Sequence, residues 1–264
     1  MAKRDSFSSR FAVLVALIGS AVGLGNLWRF PYLVGTNGGA AFIIIYLFFV
    51  FVLCTPIVFS EFLMGRRTQS NTFGAYKQLA PGTKWNWVGL LAVISATCVL
   101  AFYSVVGGWT IDYLVKAVTF KFTTSDQGQL TTMFTDSVSS VWEPLMYLAL
   151  FLCFTCFVVI KGIKGGIEKF SKMVMPLLFF LVVAIAVNSL MLPGSQKGVE
   201  FLLKPDFSKV TAETCLNALG QAFFSLSIGC GTIMTYASYV SKKENIALTS
   251  SLTGLFDTLF ALIA

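Results

Sequence analysis

The chain has no histidine and little charge: of its 264 residues, 12% are Asp, Glu, Lys or Arg. The missing histidine excludes Ser-His-Asp and Cys-His catalysis, His-ligated zinc and histidine proton relays. The charge deficit excludes more. A soluble domain carries about 25% charged residues, so an ordinary soluble enzyme, a disordered chain and a nucleic-acid binder are set aside. Cysteine is also scarce, with six residues, and none lies in a Cys-rich loop; a secreted disulfide scaffold is not expected. Cys153 and Cys156 form a C-x-x-C, but Phe151, Leu152, Phe154 and Phe157 surround it, which favours small apolar side chains over a redox or metal role. Phosphate loops, zinc spacings, paired carboxylates and nucleophile–base pairs are missing too. The protein is not expected to be an enzyme.

Apolar residues are what the chain has: 56% of the total, with a mean hydropathy of +0.79. That is enough for roughly six or seven membrane spans of about 20 residues each. Apolar runs cover residues 11–34, 40–64, 87–118, 141–160, 173–192, 216–240 and 246–264. The first could be a signal peptide, but it is long, has no A-x-A site and carries Asn26 and Arg29 before Pro31. The seventh reaches Ala264 while still apolar. The chain is therefore expected to be the front part of a longer protein, truncated in its seventh transmembrane helix.

The net charge of +7 is read by location. Lys3, Arg4, Arg10, Arg66, Arg67, Lys77, Lys84, Lys161, Lys164, Lys169, Lys172, Lys242 and Lys243 fall on one side of the bilayer if odd-numbered runs cross outward. Lys116, Lys121, Lys197, Lys204 and Lys209 fall on the other. The positive-inside rule then makes the N-terminus cytoplasmic. The N-terminal basic cluster reads as this topology signal, with a lipid-binding patch as the other reading. The expected location is the inner (plasma) membrane, as a multi-pass protein in the lipid bilayer.

Two runs contain residues that weaken a helix. The first holds Gly19, Gly23, Gly25 and Asn26. Gly19 and Gly23 could form a small-xxx-small packing face, but that leaves Gly25, Asn26 and Arg29 unexplained. A helix broken near residues 21–25 accounts for all of them. Each half would be about 10 residues, or roughly 15 Å, so the break falls near the midplane. Freed carbonyls there suit a cation, and freed N–H groups suit a carboxylate. The sixth run repeats the theme near residues 226–230, with Ser225, Ser227, Gly229 and Gly231. Serines alone often bond back to their own helix; beside paired glycines they mark a second break. Two interrupted spans in corresponding places point to a transporter site.

Ionisable residues within spans are functional candidates. Glu61 could instead be interfacial, and Arg29 could snorkel to the surface. Asp257 lies deeper in its run. An acid at a span centre costs about 2.5–3.5 kcal/mol on insertion scales, so Asp257 requires a cation or donor partner. An oxygen-rich, hydroxyl-rich set suits a hard cation rather than a transition metal.

The segments GSAVGLGNLWRFP (19–31), NGGAAF (37–42), Pro56 with Glu61 and MGR (64–66), Tyr103 before GGWT (107–110), GGIEKFSKMVMP (165–176) and GQAFFSLSIGCGTIMTYASYV (220–240) resemble the neurotransmitter:sodium symporter family. The likeness is strongest to its bacterial amino-acid transporters and covers essentially the whole chain. It implies an all-α, polytopic, leucine-transporter-like inverted-repeat fold. Residues 1–195 would form the first five-helix repeat. Residues 196–264 would form an extracellular loop and the start of the second repeat, helix 6 and part of helix 7.

By this resemblance, one sodium site takes Ala21, Asn26, Ser225 and Asp257, completed by the substrate carboxylate. A second takes the carbonyls of Gly19 and Val22. The substrate carboxylate would meet Leu24, Gly25 and Tyr103, and its ammonium would meet Ala21, Phe224, Ser225 and Ser227. Ser20, Val99, Tyr103, Phe224 and Cys230 would line the side-chain pocket. Arg29 would gate the outer side. Arg4 and Phe7, near Ser238 and Tyr239, would gate the inner side, and Glu61 would brace the break in run six.

The resemblance thus implies a symporter that imports an amino acid with sodium as coupling ion. Amine-transporting relatives carry an acid where Gly23 stands, so substrates bringing their own carboxylate are favoured. Cys230 replaces a phenylalanine of the leucine transporter, which leaves room for a bulky hydrophobic or aromatic side chain. Asp257 replaces a more usual asparagine and points to chloride independence. A proton-coupled or exchange-type permease of the same fold is the alternative, since fold does not fix the coupling ion. A channel is disfavoured, because an occluded pocket rather than a continuous pore is expected.

Overall fold

In lipid, a backbone must satisfy its own hydrogen bonds, which leaves helices as the form these apolar runs can take. A computed structural model describes residues 7–121, 126–241 and 244–264, and among the described residues it is helical with no strand. Five helical stretches are long and apolar enough to cross a membrane: Ala40–Thr68, Asn86–Val118, Trp142–Ile160, Ile163–Met191 and Ile246–Ile263. Phe11–Ala21 and Gly25–Thr36, bent by 50° at a short break, make a further span if taken together.

The elements in order are α1 (Arg10–Ala21), a wide π-type turn (Gly25–Arg29), α2 (Phe30–Thr36), α3 (Ala40–Phe49), a second π-type turn (Val50–Cys54), α4 (Thr55–Thr68) and α5 (Thr72–Leu79). Then come α6 (Asn86–Val118), α7 (Gln127–Ser139), α8 (Trp142–Ile160), a third π-type turn (Ile163–Glu168) and α9 (Lys169–Met191). The chain continues with α10 (Ser195–Leu203), a 3-10 turn (Phe207–Lys209), α11 (Ala212–Ser225), α12 (Thr232–Ala237) and α13 (Ile246–Ile263). The fifth run starts at Ile163 rather than residue 173, because the Gly165-Gly166 segment winds as a π-type turn that joins α9. The connections also contain α7 and α10, short helices that apolar run length does not reveal.

Local signals set several of these limits. Ser9 caps α1 by accepting from the Ala12 N–H at 3.2 Å. Thr211 and Thr214 cap α11 reciprocally. Asn245 caps α13 by accepting from Leu248 N–H at 3.1 Å. Ala21 ends α1 because Val22 turns to extended backbone, with ψ 115°.

The chain packs as two compact units, one made of Met1–Val93 with Ile163–Ala264 and one of Ile94–Gly162. In the first, Leu17, Phe42, Tyr46, Val50, Phe62, Leu226 and Ile233 are fully buried and share one core. Phe30 meets Tyr46 at 5.0 Å between ring centroids. In the second, Lys116 bonds Asp112 at 2.7 Å, reaches Ser137 on α7, and lies 3.7 Å from Glu143 on α8. Trp109 packs edge-on against Phe134 of α7, with centroids 5.7 Å apart.

Close backbone approach decides one position. A Cβ on Gly65 of α4 would sit 2.1 Å from the Met234 carbonyl oxygen of α12, so these two helices meet backbone to backbone. Gly35, in α2, has open space around it. Gly65→Ala is expected to lower the thermal midpoint of the detergent-solubilised protein by several degrees. Gly35→Ala is expected to stabilise by about 0.4–1 kcal/mol through the unfolded chain. Fluorescence-detected size-exclusion melts check both signs.

Candidate binding site at two helix breaks

The first break follows Ala21. Val22 is extended, and its N–H still bonds the Ile18 carbonyl at 2.7 Å, closing α1. Asn26 stands just beyond, fully buried. Its side-chain oxygen accepts from the Gly23 N–H at 3.2 Å, so the residue staples its own break. Its amide nitrogen donates outward, to Asp257 Oδ1 at 2.8 Å, to the Asp257 carbonyl at 3.2 Å and to Ser225 Oγ at 3.3 Å.

The second break runs through residues 226–231, between α11 and α12. Ser227 takes φ 52°, Gly229 φ 81° and Gly231 φ 70°. Left-handed backbone costs a glycine nothing but costs Ser227 about 1–2 kcal/mol. Strain of this kind gathers where a fold is built for a ligand. Ser225, the last residue of α11, is buried and donates to Asp257 Oδ2 at 2.7 Å.

Asn26, Ser225 and Asp257 therefore meet at one point, drawn from the two broken segments and α13. All three are at most 3% exposed. Asp257 is met by neutral donors, and among the described residues it has no ion pair. A buried carboxylate without a cation is costly. Nearby, Tyr46 is placed beside Ser225, Thr258 and Asp257. The Tyr46 and Thr258 hydroxyls are buried, and among the described residues neither has a partner in ordinary hydrogen-bond geometry. The oxygens that meet here are those of a carboxylate, a hydroxyl and a backbone carbonyl, faced by the Asn26 amide nitrogen; oxygens of this kind fit a hard cation and not a soft metal.

The sequence candidates separate on this map. Gly19 faces α9, where an added Cβ would lie 3.2 Å from Met175 Cγ. The Ser20 hydroxyl is turned back to the Leu17 carbonyl at 2.8 Å. Ala21, Val22, Leu24 and Gly25 form the first break and its exit. The Arg29 guanidinium lies 4.8 Å from the centre of the Phe224 ring and donates to Gln221 Oε1 at 2.7 Å. Gln221 in turn donates to the Gly25 carbonyl at 3.1 Å, tying α11 to the first break. Cys230 is half-buried within the second break. Val99 and Tyr103 lie on α6 in the Ile94–Gly162 unit, where Tyr103 packs edge-on to Phe102 at 5.9 Å.

Glu61 reaches the second break, accepting from the Gly229 N–H at 2.8 Å, while its other carboxylate oxygen is buried with no partner among the described residues. The same carboxylate bears on Tyr76 of α5, whose hydroxyl is held above its ordinary range chiefly by burial and further by Glu61. Phe7 donates from its backbone to the Tyr239 carbonyl at 3.3 Å and stacks on Tyr236 at 6.4 Å. Ser238 bonds back to the Thr235 carbonyl at 2.6 Å. Arg4 lies outside the described residues.

Sequence reasoning missed Tyr46, Gln221 and Thr258 at this centre. Their only signal was a polar group inside an apolar run. It also missed Glu168, which accepts from the Ser8 N–H at 3.0 Å and from Lys172 at 2.7 Å.

Ser227→Gly is expected to raise the thermal midpoint, because it relieves about 1 kcal/mol or more of backbone strain. A lower midpoint in the same melt would mean that the Ser227 hydroxyl contributes more than its backbone costs.

A family model described as the sodium:neurotransmitter symporter family matches residues 4–134 and 121–264. An uncharacterized sodium-dependent transporter of Bacillus subtilis, YhdH, is 39% identical over 262 residues, covering 99% of this chain and 58% of that protein. The mouse sodium-dependent neutral amino acid transporter B(0)AT2 is 26% identical, over 99% of this chain and 40% of its own length. The crystal structure of MhsT in complex with L-phenylalanine superposes with a TM-score of 0.90 and 40% identity, covering 99% of this chain and 60% of that one. The chain thus spans about 60% or less of the length of these relatives.

Proposed function

Because the chain belongs to the sodium:neurotransmitter symporter family, we propose that the intact protein imports an amino acid together with sodium by alternating access. One observation carries this reading: a buried carboxylate, Asp257, shared by two helix breaks through Asn26 and Ser225 and facing no cation among the described residues. Sodium at that point would neutralise it. Ala21, Asn26, Ser225 and Asp257 are its proposed ligands, and Gly19 and Val22 are proposed for a second ion.

An amino acid is a zwitterion, and burying it unpaired is prohibitive. Amides near Leu24 and Gly25 suit its carboxylate, and carbonyls at Ala21, Phe224 and Ser225 with the Ser227 hydroxyl suit its ammonium. A carboxylate that also ligates sodium would make each binding event favour the other, which is coupling in the thermodynamic sense. Ser20, Phe224 and Cys230 are proposed to line the side-chain pocket. A hydrophobic or aromatic side chain is favoured by the small Cys230, and the phenylalanine bound in MhsT supports it. Residues 1–195 are proposed as the first repeat and 196–264 as the start of the second, with the N-terminus cytoplasmic and Arg29, Phe7, Glu61, Ser238 and Tyr239 at the gates.

Radiolabelled phenylalanine and leucine uptake by the intact protein in proteoliposomes tests the reading. Uptake is expected with sodium outside and is expected to fall at least ten-fold when choline replaces it; Asn26→Ala is expected to lose the sodium-dependent part. Uptake that survives sodium removal but follows a proton gradient would favour a proton-coupled permease instead.

Asp257 carries a fixed negative charge, so no mobile anion is needed beside the sodium. Equal initial rates are expected in chloride and in gluconate. A strict chloride requirement would show that Asp257 does not supply that charge.

A further inference from the structure

The second break is held at its far end by a residue outside the proposed binding site. Thr72 opens α5, the short helix that follows α4, and is 3% exposed. Its hydroxyl lies 3.0 Å from the Gly231 carbonyl oxygen, to which it donates. That oxygen also accepts from the Thr235 hydroxyl at 2.8 Å and from the Thr235 N–H at 3.0 Å. The two threonine hydroxyls are 3.3 Å apart. Gly231 is where α12 begins, and among the described residues no side chain caps that helix start.

The contact is tight as well as polar. A Cβ at Gly231 would fall 2.2 Å from Thr72 Oγ1 and 2.6 Å from its Cγ2. Thr72 is itself pinned from behind: an added Cβ on Gly89 of α6 would lie 3.0 Å from the Thr72 carbonyl oxygen. Asn71 caps α5 on the Gly74 N–H at 2.8 Å, which fixes the turn that carries Thr72. The same stretch of chain meets α12 elsewhere too, through Gly65 against Met234, and its Arg66 guanidinium bonds the Glu244 carbonyl at 2.5 Å in the segment before α13.

We infer that Thr72 is a positioning residue for transport: it locks Gly231 and the start of α12 onto the α4–α5 segment, so that bending within the second break is confined to residues 226–230. This rests on the transport reading above, but its structural half does not. A short helix of six residues starting at a left-handed glycine has little to hold its orientation on its own. The hydroxyl of Thr72 supplies a fixed point from a different helix, and Glu61 supplies another at Gly229. Between them only Cys230 separates the two anchored residues.

The test uses the intact protein with Cys230 as its one remaining cysteine, in three forms: Thr72, Thr72→Val and Thr72→Ser. Radiolabelled N-ethylmaleimide reports how often the break exposes the Cys230 thiol. Thr72→Val keeps the shape and removes the hydroxyl; its labelling rate is expected to change at least five-fold, and Thr72→Ser is expected to restore the parent rate. In uptake, Thr72→Val is expected to lower the maximal rate at least five-fold while the half-saturating sodium and substrate concentrations stay within two-fold. A merely structural role would instead reduce the amount of folded protein and leave the labelling rate per folded molecule unchanged. If Thr72→Val does not accumulate, Thr72→Ala is compared with Thr72→Ser in the same assay.

Parent-like labelling in the variants without the hydroxyl, or a Thr72→Ser form as altered as Thr72→Val, overturns the inference. Loss of sodium-dependent uptake in the parent itself would count against the transport reading, and the labelling contrast would still decide the role of Thr72.

Discussion

A helix interrupted at membrane depth exposes backbone N–H and C=O groups that lipid cannot satisfy, each at a cost of several kcal/mol. Both breaks in this chain meet that constraint with side chains, and mostly with side chains from elsewhere. Asn26 caps the Gly23 N–H. Gln221 of α11 donates to the Gly25 carbonyl. Glu61 of α4 accepts from the Gly229 N–H, and Thr72 of α5 donates to the Gly231 carbonyl. Three of the four bonds cross between elements, so the irregular backbone itself becomes the surface on which α4, α5 and α11 assemble. The buried polar residues are explained by this need before any ligand is considered.

Asp257 is the exception, because no orphan backbone group requires it. Asn26 and Ser225 give it two hydrogen bonds and no charge. Removing a carboxylate from water without a counter-charge is unfavourable even when it is hydrogen-bonded. A cation bound between the breaks would draw the same three side chains and the nearby carbonyls together, and its affinity would come from relieving that imbalance. The choice of ligands matters as much as the charge. Hydroxyl, carboxylate and carbonyl oxygens reward a hard ion.

How much of this was legible depended on sequence distance. The breaks could be read locally: Gly23-Leu24-Gly25-Asn26 and Ser227-Ile228-Gly229-Cys230-Gly231 each place several helix-weakening residues inside one apolar run. The family pattern then supplied Asn26, Ser225 and Asp257 as a set, and the structure places them in contact. What holds the breaks was not legible. Thr72 and Gly231 are 159 residues apart, and Glu61 and Gly229 are 168 apart. Nothing about a threonine at the start of a short amphipathic segment distinguishes it from an ordinary helix-start residue. Gln221 and Tyr46 were hidden for a related reason: a single polar group in an apolar run reads as tolerated until its partner is known. The helices α7 and α10 escaped because run length registers spans, and these lie in the connections.

The two breaks are not independent sites that happen to be close. Gln221 lies on α11, one turn before Ser225, and its amide is held at both ends, by the Gly25 carbonyl and by the Arg29 guanidinium. Arg29 rests in turn on Phe224, the residue before Ser225. Any displacement of α11 therefore moves the carbonyl partner of the first break, the cation over Phe224 and the hydroxyl on Asp257 together. Energetic coupling between sites requires an element whose position both of them bias. In this chain α11 is the element that both breaks contact: Ser225, Gln221 and Phe224 lie within about one turn of a single helix, and each touches a different part of the first broken segment or its shared carboxylate.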